Sequence, residues 1–72
     1  MSLPEPGIYR HFKGSDYELL QLARHSETEE WMVVYRPLAR PESIWVRPLA
    51  MWSEQVAGPD GPVERFRRVG PA

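Results

Sequence analysis

The chain has 72 residues, nine lysines and arginines against ten aspartates and glutamates, and no cysteine. That length suits one domain with a thin stability margin, and the missing cysteine excludes disulfides and cysteine-ligated metal centres. A formal net charge of −1 argues against a domain built mainly to hold nucleic acid, and no apolar run approaches the ~20 residues that cross a bilayer.

Residues 1–6 carry Pro4 and Pro6 and little apolar content, so they read as an extended N-terminal arm. Nothing there resembles a signal peptide, which makes the expected location cytoplasmic, away from membrane. Residues 7–12 suit a strand, and 13–16 a turn around Gly14. Residues 17–25 are contested. Leu19, Leu20, Leu22 and Ala23 fall at helical spacing and Ser15 with Glu18 forms a capping box, so local propensity favours a helix. Residues 26–30 form a polar loop. Residues 31–36 make the clearest strand, with Trp31, Val33 and Tyr35 on one side and Met32, Val34 and Arg36 on the other. After a loop between Pro37 and Pro41, residues 44–47 read as a strand closed by Pro48. Ile44 and Val46 are expected inside and Trp45 with Arg47 outside or half covered. Residues 49–52 suit one helical turn, 58–62 a turn, and 63–69 a single closing strand. Short strands between Gly and Pro turns indicate a small sandwich or barrel.

Several blocks are distinctive in combination. Gly7-Ile8-Tyr9-Arg10-His11-Phe12-Lys13-Gly14 is followed by Tyr17-Glu18 and by Ala23-Arg24-His25-Ser26-Glu27-Thr28. Val33-Val34-Tyr35, Trp45-Val46-Arg47-Pro48-Leu49 and Arg65-Phe66 come next. In that order they resemble the small bacterial family called domain of unknown function 1653. The resemblance covers residues 7–69 and implies a mostly β fold: a small SH3-like five-stranded barrel with one short helical turn. It makes residues 17–25 a strand, overriding local propensity. It carries no established activity. Trp52 stands where the family more usually has Phe, and Ala39 where Tyr is common.

Chemistry-bearing residues are few. His11 and His25 could serve as acid–base groups or, with Glu27 or Glu29, as metal ligands. No short-spaced ligand pair accompanies them, and a turn-fixing role suits each equally. His25-Ser26-Glu27 lacks the spatial logic of a hydrolase triad, and no glycine-rich phosphate loop or other cofactor motif is present. The expected protein is therefore non-catalytic and without a cofactor. Arginines interleaved with aromatic residues suit grasping a peptide, or pairing with phosphate and stacking on bases. The candidate binding surface comprises Tyr9, His11, Lys13, Tyr17, His25, Tyr35, Trp45, Arg47 and Arg65. A protein or peptide partner leads, because the charge balance does not favour phosphate. A nucleic-acid-binding module is the alternative, with a small metal protein or enzyme centred on His11 and His25 behind it.

Overall fold

Alternation of large apolar side chains between two sheet faces governs most of this chain. The computed structural model describes residues 3–72. Its elements in chain order are β1 (Gly7–His11), β2 (Asp16–Arg24), β3 (Trp31–Pro37), β4 (Trp45–Pro48), α1 (Leu49–Trp52), β5 (Gln55–Gly58), β6 (Gly61–Glu64) and β7 (Phe66–Gly70). Five strands form one antiparallel sheet in the order β4-β3-β2-β1-β7, and β5 with β6 forms a separate hairpin. Pro4, Glu5 and Pro6 of the expected arm have no regular structure; residues 1–2 lie outside the described residues.

Residues 17–25 resolve as strand, and the register shows why they mimic a helix. Leu19 lies opposite Tyr35 and Leu22 opposite Val33, with an irregularity between Leu19 and Gln21. That one-residue bulge places Leu19 and Leu22, three apart, on the same sheet face. Helical spacing in sequence is here the trace of a bulged strand. β2 is also central, with β1 and β3 on its two sides, so its backbone groups are satisfied by the ladder.

One face of the sheet is the inner face. Tyr9, Leu19, Val33, Tyr35 and Phe66 are buried there, and α1 lays Leu49 and Trp52 over them. Trp52 stacks flat on Phe66, with centroids 3.8 Å apart and planes 4° from parallel. Tyr9 and Tyr35 meet the Trp52 ring edge-on at 5.3 and 5.1 Å. Such aromatic pairs add about 0.5–1.5 kcal/mol each beyond area burial, which matters in so small a core. The opposite, outer face is mixed, with ion pairs Arg10–Asp16 and Arg36–Glu18 at 2.8 Å each beside half-buried Met32 and Val34 and exposed Val46.

Gly7 fixes how β1 meets β7. Its φ of 151° and a position where a Cβ would lie 2.6 Å from the Gly70 carbonyl oxygen leave no room for a side chain.

Three expectations are corrected, and one strand is added. The five strands do not close into a barrel, because β4 and β7 are the two edges of the sheet and are not paired. Residues 63–69 are not one strand. The chain turns at Arg65, whose N–H donates to the Glu54 carbonyl and whose carbonyl accepts from the Phe12 N–H, dividing β6 from β7. β5 was not anticipated, since Gln55-Val56-Ala57 has neither aromatic residues nor a β-branched run. The faces of β4 are also reversed. Trp45 lies opposite Tyr35 and Arg47 opposite Val33, so both share the inner face, while Ile44 and Val46 are the exposed residues at 59 and 62%.

Candidate functional site

α1 covers only part of the inner face. The end formed by the last residues of β1 and β3 and the first of β2, β4 and β7 stays open, and strand register places side chains there. His11 lies opposite Phe66, Tyr9 opposite Tyr17, and Tyr35 opposite Trp45. Directly opposed residues project to the same face, so His11, Tyr17, Trp45 and Arg47 converge over a floor of Tyr35 and Phe66.

Ring contacts tie the surface together. His11 meets Phe66 edge-on at 5.0 Å and Tyr17 at 6.3 Å. Tyr17 packs on Phe66 and Tyr35 at 5.6 and 5.7 Å, and Trp45 on Tyr35 at 6.0 Å. The Arg47 guanidinium lies 5.4 Å from the Phe66 ring centroid, a cation–π contact between the two edge strands β4 and β7. The sheet is thus curled enough for side chains of its edges to meet, although their backbones do not pair. Trp45 remains 43% exposed.

The charges are one-sided. Burial, then Arg47, Arg65 and Lys13 in decreasing order, hold the His11 imidazole below its ordinary pKa. Three cations therefore act on this ring. Arg65 is paired with Glu54, whereas Arg47 and Lys13 have no carboxylate partner among the described residues. His11 Nδ1 accepts the Lys13 backbone N–H at 3.2 Å, which suits the neutral imidazole and fixes the β1–β2 turn. A neutral ring between aromatic residues, with two unpaired cations beside it, is suited to holding an anionic, partly apolar ligand.

Of the candidate residues, the fold brings together His11, Tyr17, Trp45 and Arg47 over Tyr35, while Lys13, whose ammonium lies over the Phe12 ring, and Arg65, paired with Glu54, are near enough to act on His11 by charge. Tyr35 is buried and acts as floor rather than contact surface. Tyr9 is buried as well. Its hydroxyl donates to the Glu5 carbonyl at 2.7 Å, and burial is the main reason its pKa is raised. His25 lies beyond the far end of β2, remote from His11. Its Nδ1 accepts the backbone N–H groups of Glu27 and Thr28 at 3.1 and 3.3 Å, so it fixes the β2–β3 loop. Nearby, Arg24 lies 4.0 Å over Trp31 and donates to the Glu29 carbonyl. The two histidines do not form one centre, and among the described residues no three His, Asp or Glu side chains gather as a metal site.

The role of Phe66 as common floor is not legible in the sequence. The signal lay in strand pairing that local sequence does not reveal. Also unanticipated is a cleft of about 620 Å³ between the β1–β2 turn and the β5–β6 hairpin, with Phe12, Pro59 and Val63 among its walls and Arg67 and Glu64 at its rim. A smaller hollow of about 260 Å³ lies beside Tyr9, Trp52 and Arg68. No helix among the described residues is long and apolar enough to cross a membrane.

A family model described as a protein of unknown function, DUF1653, matches residues 7–68. A crystal structure of a protein of that family from Bordetella bronchiseptica is similar, with 45% sequence identity and a TM-score of 0.84. The likeness covers 96% of this chain and 91% of that one. No curated protein matches the chain.

Proposed function

The chain belongs to the DUF1653 family, and from that premise we propose that it is a non-catalytic binding module for a protein or peptide. The contact surface is the open end of the inner face. The observation that carries this reading is the reversal of β4, which turns Trp45 and Arg47 toward His11 and Tyr17 while leaving Trp45 43% exposed. A half-exposed tryptophan beside an unpaired arginine is the kind of anchor pair that dominates interface energetics. The fold reading that accompanies it is an SH3-like barrel left partly open. Five antiparallel strands curled until Arg47 meets Phe66 support that description.

A nucleic-acid ligand is the second reading, favoured by the three cations acting on His11. The distribution of the other cations weighs against it. Arg10 and Arg36 are paired with Asp16 and Glu18, and Arg24 and Arg68 donate to the backbone carbonyls of Glu29 and Pro6. Among the described residues the cations without a carboxylate partner, Lys13, Arg24, Arg40, Arg47, Arg67 and Arg68, are scattered over both ends of the sheet and the β3–β4 loop rather than aligned as a track along a phosphate backbone.

The test is affinity capture with the wild-type chain and with a Trp45→Ala/Arg47→Ala double variant of unchanged circular dichroism. Partners held by the wild type and lost by the variant are expected. Equal recovery by both chains would remove the proposed surface. Captured material that is nucleic acid, released steeply by salt, would move the assignment to the second reading.

A further inference from the structure

The free edge of β4 adds a second kind of recognition to this surface. Among the described residues β4 pairs only with β3, so along its other side its outward N–H and C=O groups meet no strand. Pro48 ends the strand and contributes no donor. Exposed Val46 and half-exposed Trp45 stand on opposite faces of this edge. Proteins usually blunt such edges with lysines, inward charges or a covering element. The one charged side chain of β4 is Arg47, whose guanidinium rests on the Phe66 ring rather than on a carboxylate.

Charge identifies the occupant. Around the open end stand Lys13, Arg47 and Arg65, with Glu54 as the partner of Arg65. The acidic residues of the β2–β3 loop, Glu27, Glu29 and Glu30, are at the other end of the strands. At the open end Asp16, Glu18 and Glu54 are paired with Arg10, Arg36 and Arg65, and Glu42 of the β3–β4 loop is matched by Arg40, so Arg47 and Lys13 leave that end net positive beside the unpaired strand edge. Electrostatic complementarity of this kind selects partners and fixes their register.

We propose that the ligand is an acidic, extended peptide segment that adds as a strand to the free edge of β4. Its acidic side chains lie on the inner face, against Arg47 and the Trp45 ring, and its intervening apolar side chains lie on the outer face beside exposed Val46. Main-chain hydrogen bonds to β4 supply affinity, and the cations and aromatic ring supply selectivity. This rests on the binding-module reading and specifies its ligand.

The probes are two end-capped heptapeptides, one alternating valine with glutamate and the other valine with lysine, each titrated into the ¹⁵N-labelled chain. The acidic peptide is expected to slow amide hydrogen exchange across the Trp45–Val46–Arg47 segment and to bind at least about tenfold more tightly than the basic one. Arg47→Gln should erase most of that preference. Equal binding of both peptides, or an acidic peptide that binds without slowing exchange in β4, would overturn the proposal. A capped single-stranded RNA that shifts the same amides while the acidic peptide does not would also overturn it. The two readings fail separately. A partner captured through Trp45 and Arg47 with no protection of β4 removes strand addition alone, whereas retention by the double variant removes the surface itself.

Discussion

Removing the Phe66 ring should cost this domain a large share of its stability. Phe66 is 6% exposed, stacks on Trp52 at 3.8 Å and receives the edges of His11, Tyr17 and Tyr35, so it joins the α1 plug to the candidate surface. A phenylalanine side chain buries about 150–250 Å². At about 25 cal/mol per Å² that corresponds to roughly 4–6 kcal/mol, of which the alanine methyl retains a part. Measured Phe-to-Ala losses of about 3–5 kcal/mol in cores agree. Domains carry about 0.05–0.15 kcal/mol per residue, so a chain of this length has on the order of 4–11 kcal/mol in total. Phe66→Ala should therefore forfeit about 4 kcal/mol, and each kcal/mol lowers Tm by about 4–8 °C. Urea unfolding followed by tryptophan fluorescence and far-ultraviolet circular dichroism measures the loss. Phe66→Leu keeps bulk but removes stacking, and should cost about 1–2 kcal/mol. A loss below about 1 kcal/mol for the alanine variant would refute the shared-floor argument.

Other consequences are equally specific. Gly7→Ala should cost at least about 2 kcal/mol in thermal or urea unfolding, because a Cβ there meets the Gly70 carbonyl oxygen at 2.6 Å and φ is 151°. Little or no loss would mean that β1 and β7 are not so closely apposed. His11 should titrate by NMR below the ordinary histidine value of about 6.5, with Arg47→Ala moving it back upward. Because the unfolded chain takes up that proton more readily, His11 contributes stability above about pH 6.5 that is lost as pH falls through its lower folded value. A His11 that titrates above 6.5 would separate it from the cations. Glu18→Gln should cost no more than about 1 kcal/mol, since the ion pair with Arg36 is only partly shielded.

Strands were legible in the sequence wherever apolar alternation was regular. Residues 31–36 declared both faces of β3 correctly, and Pro48 correctly preceded the single helical turn of α1. β2 was not legible locally, because its bulge gives Leu19 and Leu22 the spacing of a helix, and the family resemblance supplied what propensity denied. The reversed faces of β4 have a different cause. On a four-residue strand, sequence gives the alternation but not which side is inner; pairing with Tyr35 and Val33 decides it. That same pairing assembled most of the candidate surface from residues chosen only for their chemistry. Tyr9 and His25 fell out because a tyrosine body is good core material and because the two histidines occupy opposite ends of the strands.

Three tryptophans provide the most direct test of the central claim, since Trp45 lies at the open surface, Trp52 in the core and Trp31 at the far end beside Arg24. Their indole N–H resonances can be assigned with single Trp-to-Phe variants and followed in ¹H–¹⁵N spectra as the captured partner is added. Binding through the proposed surface should move the Trp45 resonance and leave that of Trp31 in place. Movement of Trp31 with Trp45 unchanged would place the working surface at the opposite end of the sheet and contradict the account.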